Sequence, residues 1–115
     1  MHIALVGTKL NPETWLPLLR ARLPQDHFHV FPEIPDRAAI EVAIVASPRP
    51  GEVAQLPRLK LAQCLWMGVD ALVLDASLPK GVPVARMVDP SMIVAMSETV
   101  LHRVLDFHRD FYAYR

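Results

Sequence analysis

The sequence predicts a three-layer α/β fold, in which helices cover both faces of a five-stranded parallel sheet. Three observations predict it. Short apolar segments recur along the chain, capped or amphipathic segments lie between them, and most of the 11 prolines fall in the connections. Strands that alternate with helices over short connections form right-handed βαβ units and hence a parallel sheet. The predicted class is therefore flavodoxin-like, with a long C-terminal helix.

The first half of the chain is predicted to contain three strands and one helix. Residues 2–7 form an apolar run that a glycine closes, which is typical of a buried parallel strand. Asn11 then caps a helix that has Pro12 in its first turn. The alternating segment 27–31 predicts the second strand, and the apolar segment 42–46 predicts the third.

The second half of the chain is predicted to complete the sheet and to end in a helix. A short helix is expected over residues 52–56, a fourth strand over 61–66 and a second short helix within "GVDALVL", residues 68–74. The fifth strand is expected over residues 82–87, followed by a long helix over 91–112. Ligand sites in such sheets lie beyond the carboxyl ends of the strands, so the loops at that edge are the ones to examine.

The long helix carries two apolar stripes instead of one. The first comprises Met92, Met96, Val100, Val104, Phe107 and Phe111, and the second comprises Ile93, Leu101, Leu105 and Tyr112. A helix that places one stripe on the sheet leaves the other facing water, and an exposed apolar surface of that size indicates a partner. We therefore expect the helix 91–112 to be covered by another part of the molecule or by a second copy.

The composition limits the classes of protein to which this chain could belong. A chain of 115 residues with 52% apolar residues is expected to form a single domain over residues 1–115. Twelve basic and twelve acidic residues balance, so no nucleic-acid or membrane surface is expected. The single cysteine forms no internal disulfide, and the start "MHIALVG" resembles neither a leader nor a membrane span. A cytoplasmic location is expected.

Common site motifs are missing from the sequence. The glycines are Gly7, Gly51, Gly68 and Gly81, so no Gly-x-Gly-x-x-Gly loop occurs and no dinucleotide site is expected. The loop after the first strand lacks the composition of a flavin-phosphate loop, and the acidic residues of a phosphate-accepting receiver domain are absent. No nucleophile and base can be paired, and therefore no catalytic residue is predicted.

The histidines and the cysteine allow two interpretations each. Glu98 and His102 have the spacing of a metal pair, but without a third ligand a pair on the helix surface is favoured. His27 and His29 share a strand face and fit edge positions better than a metal site, and Cys64 fits a small core residue. No metal site is predicted.

The turn "CLWMGVDAL" offers a different kind of site. Gly68 follows the predicted fourth strand, where a glycine lets a ligand approach the backbone and turn N–H groups can bind a carboxylate or phosphate. The same glycine could simply make the turn from strand to helix. The residues alone leave both interpretations open.

The segment "LWMGVDAL" and the later "VARMVDPSMIVAMSETVLHRVLDFHRDFYAYR" resemble the N-terminal domain of D-isomer-specific 2-hydroxyacid dehydrogenases, in particular the glyoxylate/hydroxypyruvate reductase branch. The resemblance covers essentially the whole chain. Its sharpest parts are the Gly-Val-Asp turn and the positions of Met92, Met96 and Glu98, which run into the final "FYAYR". The "SPRP" loop also falls where this branch has a proline-containing loop that faces the substrate. This branch commonly has another glycine two residues before Gly68, where the present chain has Trp66.

The resemblance implies a substrate site but not a complete enzyme. It implies that backbone amides of Met67 and Gly68 hold the carboxylate of a small 2-keto or 2-hydroxy acid. Side chains of Trp66, Ala46, Ser47 and Pro48 would shape the pocket. In that family a nucleotide-binding domain supplies the NAD(P) site, an arginine that orients the substrate, and a histidine acid with its glutamate, none of which lies in these residues.

Two hypotheses follow from the resemblance. In the first, the chain is the substrate-side domain of an NAD(P)-dependent reductase, inactive alone, with helix 91–112 contacting the missing nucleotide-binding domain or a homodimer partner. In the second, it is a free-standing binding or dimerisation module of the same fold.

Overall fold

The computed structural model describes residues 1–114 and contains a five-stranded sheet in which all strands are parallel. The strands are β1 (His2–Val6), β2 (His27–Val30), β3 (Val42–Val45), β4 (Leu61–Cys64) and β5 (Val84–Ala85). Their order in the sheet is β2-β1-β3-β4-β5, which is the flavodoxin-like order. The predicted fold class is confirmed.

Three helices and three short 3₁₀ turns connect and follow the strands. The helices are α1 (Pro12–Arg22), α2 (Asp70–Val73) and α3 (Pro90–His108), and the 3₁₀ turns are Arg37–Ala39, Val53–Gln55 and Phe111–Tyr114. Helix α1 starts as predicted, because the side chain of Asn11 accepts a hydrogen bond from Glu13 N at 3.0 Å.

Every strand is shorter than the sequence predicts, and the largest differences are in β5 and in the long helix. The fifth strand covers two residues instead of 82–87, since Pro83 has no N–H to give to the ladder. The long helix ends at His108 instead of 112, and Asp110 has a left-handed φ of 52° that does not continue a helix.

The sheet separates two apolar clusters, which makes three layers. On one face, alternate residues such as Ala4, Val45 and Cys64 pack against the loop segments that hold Ile40 and Leu56. The opposite face is smaller, and its buried residues are Leu5, Leu10 and Ala46. Side chains of α1 pack against them, namely Trp15, Leu16 and Leu19. The carboxyl ends of β1, β3 and β4 come together between these layers.

Helix α3 projects away from this body. The radius of gyration is 18.5 Å, whereas a compact chain of this length has about 13 Å. Every residue of the segment 91–108 is exposed except Asp106. The helix therefore places neither apolar stripe on the sheet, where the sequence had allowed for one. Among the described residues, no helix is both long and apolar enough to cross a membrane.

Candidate functional site

The segments after β3 and β4 form a small cleft at the carboxyl edge of the sheet, and the loop after β1 contacts the loop after β3. The cleft has a volume of about 60 Å³ and is lined by Ser47, Pro48, Cys64, Trp66, Gly68, Val69, Ala71 and Leu72. Four of the six predicted site residues thus line one cleft. Of the other two, Met67 lies within the turn and Ala46 is fully buried, in the core cluster that packs under α1.

The loop after β1 holds the loop after β3. Gly7 has a φ of 131°, and a Cβ atom on it would stand 2.0 Å from the carbonyl oxygen of Ala46. This close approach lets Thr8 N donate to Ser47 O at 3.2 Å and Lys9 N donate to Ala46 O at 3.2 Å. Gly7, Thr8 and Lys9 were not predicted as site residues from the sequence. The sequence feature that could have indicated them is the glycine at the end of the first buried strand.

Contacts from the other loops fix the rest of the segment after β3. Ser47 has a left-handed φ of 52°, and its hydroxyl accepts a hydrogen bond from Trp66 Nε1 at 3.3 Å. At the far end, Gly51 N donates to Asp75 Oδ2 at 3.0 Å. The hydroxyl of Ser77, followed by the N–H groups of Gly51 and Ser77, lowers the pKa of Asp75 below its usual value. A charged Asp75 therefore tethers this loop.

The carbonyl groups of the turn after β4 all accept hydrogen bonds from inside the protein. The oxygen of Trp66 accepts from Met87 N at 3.2 Å, that of Met67 from Arg86 Nη1 at 3.3 Å and that of Gly68 from Cys64 Sγ at 3.8 Å. Cys64 lies in the core as predicted, and its sulfur also accepts from Trp66 N at 3.4 Å. This contact of the cysteine with the turn was not predicted from the sequence.

Three successive N–H groups of the same turn have no acceptor among the described residues. Met67, Gly68 and Val69 donate no backbone hydrogen bond to any group within residues 1–114. In a trans peptide the C=O and the following N–H point in opposite directions, so internal bonds to the carbonyls turn these N–H groups away from their donors. Gly68 is exposed. Successive free N–H groups of this kind form a concavity suited to an anionic oxygen.

Neither conformation nor space requires a glycine at position 68. Its φ lies outside the left-handed region, and a Cβ atom there would meet only Asp70 Oδ2, at 3.8 Å. The turn could therefore be made with an alanine. The space in front of the Gly68 backbone is open to a ligand, although the Asp70 carboxylate at its border would repel an anion.

The histidines do not join this site. His102 Nε2 lies 3.5 Å from Asp106 Oδ2, and no contact joins His102 to Glu98. His27 and His29 lie on edge strand β2 as predicted, at the amino end of the sheet beside His2. No group of three metal-ligating side chains is present within the described part of the chain.

Comparison with known proteins identifies relatives over the whole chain. The sequence is 35% identical to glyoxylate/hydroxypyruvate reductase A of Serratia proteamaculans over 120 residues, which is 100% of this chain and 38% of that protein. It is 31% identical to the enzyme of the same name from Yersinia enterocolitica, with 95% of this chain and 36% of that protein covered. No protein-family model matches the sequence.

A solved structure has the same fold, and the match covers a similar share of both chains as the sequence matches do. The D-isomer-specific 2-hydroxyacid dehydrogenase of Xanthobacter autotrophicus, in complex with NADPH and MES, superposes with a TM-score of 0.81 at 31% identity. The match covers 98% of this chain and 37% of that one. The homologues of this chain are thus glyoxylate/hydroxypyruvate reductases and D-isomer-specific 2-hydroxyacid dehydrogenases, and the chain spans less than two fifths of their length.

Proposed function

We propose that this chain is the substrate-side domain of an NAD(P)-dependent reductase that acts on a small 2-keto acid such as glyoxylate or hydroxypyruvate. In this proposal the N–H groups of Met67 and Gly68 bind the substrate carboxylate. Trp66, Ser47 and Pro48 form the wall of the pocket, and Ala46 supports it from below. The observation that carries the proposal is the turn 66–69, whose carbonyls are all bonded internally while the N–H groups of Met67, Gly68 and Val69 are free.

The nicotinamide cofactor does not fit the residues described. Gly7 is the glycine at the end of β1, and the carbonyl of Ala46 fills the space in front of it. A pyrophosphate therefore has no room at the place where a dinucleotide would meet the first loop. We propose that the cofactor and the acid-base groups belong to a nucleotide-binding domain, and that residues 1–115 alone are inactive.

The chain's own contribution is to bind and orient the acid. Two adjacent N–H donors can hold both oxygens of a carboxylate, and this fixes the direction in which the neighbouring keto carbon points. Because the donors belong to the backbone and their carbonyls are bonded, they need no rearrangement when the acid binds.

Helix α3 would be covered in the intact protein. Its apolar side chains are about half exposed, for example Val100 at 58% and Leu101 at 59%. An apolar surface along a 19-residue helix is larger than monomers usually leave in water. We propose that the nucleotide-binding domain, a second subunit, or both cover it.

Enzyme assays on the full-length gene product test this function. We expect NADPH oxidation in the presence of glyoxylate or hydroxypyruvate, and Gly68→Ala should raise the KM at least about tenfold because the methyl group occupies the approach to the N–H groups. Gln25→Ala, at the opposite edge of the sheet, is the control. Oxalate binding without any reduction would favour the free-standing module, and the absence of both would refute the proposal.

A further inference from the structure

Arg86 is an exposed arginine that directly follows β5, and within the described residues its side chain hydrogen-bonds to the turn after β4. Its Nη1 donates to the carbonyl oxygen of Met67 at 3.3 Å. It forms no ion pair with any carboxylate of residues 1–114. A long charged side chain loses rotamer freedom when it holds one position, and no acidic partner compensates for that loss here.

The backbone brings Arg86 to this position. In the sheet, Gln63 of β4 is opposite Ala85 of β5, and Met87 N donates to Trp66 O at 3.2 Å beyond the end of both strands. The residue between these two pairings is Arg86. Its side chain therefore starts beside the turn and reaches the next carbonyl along it, that of Met67.

The carbonyl that Arg86 holds is one half of the Met67–Gly68 peptide, and the N–H of Gly68 is the other half. Because this peptide is planar and trans, fixing the C=O direction also fixes the opposite direction of the N–H. A cationic donor on the carbonyl also polarises the peptide and makes its N–H a better donor. Both effects favour an anion in front of Gly68.

We propose that Arg86 is a positioning residue that orients and polarises the Gly68 N–H for the substrate carboxylate, an inference that rests on the proposed function. Arg86 acts through the peptide, since its guanidinium lies on the carbonyl side and the acid binds on the N–H side. Its positive charge also offsets the repulsion from Asp70, whose carboxylate borders the Gly68 backbone.

Amide NMR on the full-length gene product titrated with oxalate, a non-reducible acid of similar size, tests this role. In the wild type, oxalate should shift the Met67 and Gly68 amide signals. Arg86→Met should move the Gly68 amide signal before any ligand is added and weaken oxalate binding by about fivefold to tenfold. Arg86→Lys, which keeps a cationic donor, should recover part of the affinity, and Arg58→Met, an exposed arginine near the amino end of the sheet, should change neither.

The outcomes separate this inference from the proposed function. If oxalate shifts Gly68 in the wild type but binds Arg86→Met equally well, the role of Arg86 is refuted and the proposed function stands. If oxalate leaves Met67 and Gly68 unshifted in the wild type, the proposed carboxylate site is refuted and this inference with it. Should Arg86→Met fail to fold, Arg86→Gln gives the same comparison, because its shorter side chain does not reach the carbonyl.

Discussion

Gly7 and Gly68 each follow a buried strand, yet they are glycines for different physical reasons. At Gly7 the backbone has a φ of 131° and touches the carbonyl of Ala46, so the fold itself excludes a side chain. At Gly68 the backbone has an ordinary φ and open space in front of it. A glycine that the fold does not need is better explained by a ligand that approaches the backbone.

Alanine substitutions should separate these two reasons. Gly7→Ala should lower the free energy of unfolding by about 3 kcal/mol or more, because it combines a backbone clash with left-handed strain. Gly68→Ala should change it by less than about 0.5 kcal/mol, as is usual for an exposed site. Urea unfolding followed by circular dichroism measures both. Equal losses in the two variants would contradict the distinction.

A cluster of three histidines should make the stability of the protein depend on pH. His2 Nδ1 and His29 Nε2 are 2.9 Å apart, so one ring donates a hydrogen bond to the other. His27 stacks on His2, with the ring centroids 4.9 Å apart. Partial burial, followed by the charges of His2 and His27, lowers the pKa of His29 below its usual value of 6.5. Protonating His29 is thus harder in the folded protein than in the unfolded chain.

The sign of the pH effect follows from this shift. Above pH 6.5 His29 is neutral in both states, and below it the unfolded chain binds the proton first, so stability should fall as the pH drops below about 6.5. His29→Gln should reduce the loss of melting temperature between pH 7.5 and pH 5, whereas His108→Gln, at the exposed end of α3, should not. An unchanged pH dependence in His29→Gln would show that His29 is not the responsible group.

At the scale of elements, the features that could be predicted are those that depend on neighbouring residues in the sequence. The capped helix α1 and the parallel strands could be predicted, because caps, prolines and apolar runs are local signals. The bounds of β5 and α3 were predicted less accurately, because single residues limit these elements. Pro83 limits β5, and Asp110, with its left-handed φ, prevents α3 from continuing. The loops after β3 and β4 line one cleft, but the contacts from Thr8 and Arg86 join residues far apart in sequence and leave no local pattern.

The cap of α1 gives a test at this scale. Asn11→Ala removes the acceptor for Glu13 N and should lower the free energy of unfolding by about 1 kcal/mol. Asn11→Asp keeps a capping oxygen and should stay within about 0.5 kcal/mol of the wild type. Thermal unfolding measures both variants, and an Asn11→Ala protein as stable as Asn11→Asp would show that this cap contributes little.

At the scale of the whole molecule, an elongated shape and an exposed apolar helix occur together. The described residues extend 60 × 34 × 22 Å, and the long dimension reflects the projection of α3 from the sheet. Grooves along α3 are lined by Val100, Val104 and Phe107 and are larger than the cleft at the strand ends. Thr99, Arg103 and His108 also line one of these grooves, but most of the lining surface is apolar, which suits a protein surface.

Two exposed leucines allow a matched test of whether α3 is an interface. Leu101 on α3 and Leu18 on α1 are each 59% exposed, so exposure alone predicts equal effects of substitution. If α3 is covered by a second copy, each dimer buries two copies of Leu101, and Leu101→Lys should weaken association at least about tenfold in sedimentation equilibrium. Leu18→Lys should leave association unchanged, because Leu18 lies on the body. If the 115-residue chain sediments as a 12.9 kDa monomer at all concentrations, a second copy is excluded as the cover, which leaves the proposed nucleotide-binding domain as the candidate.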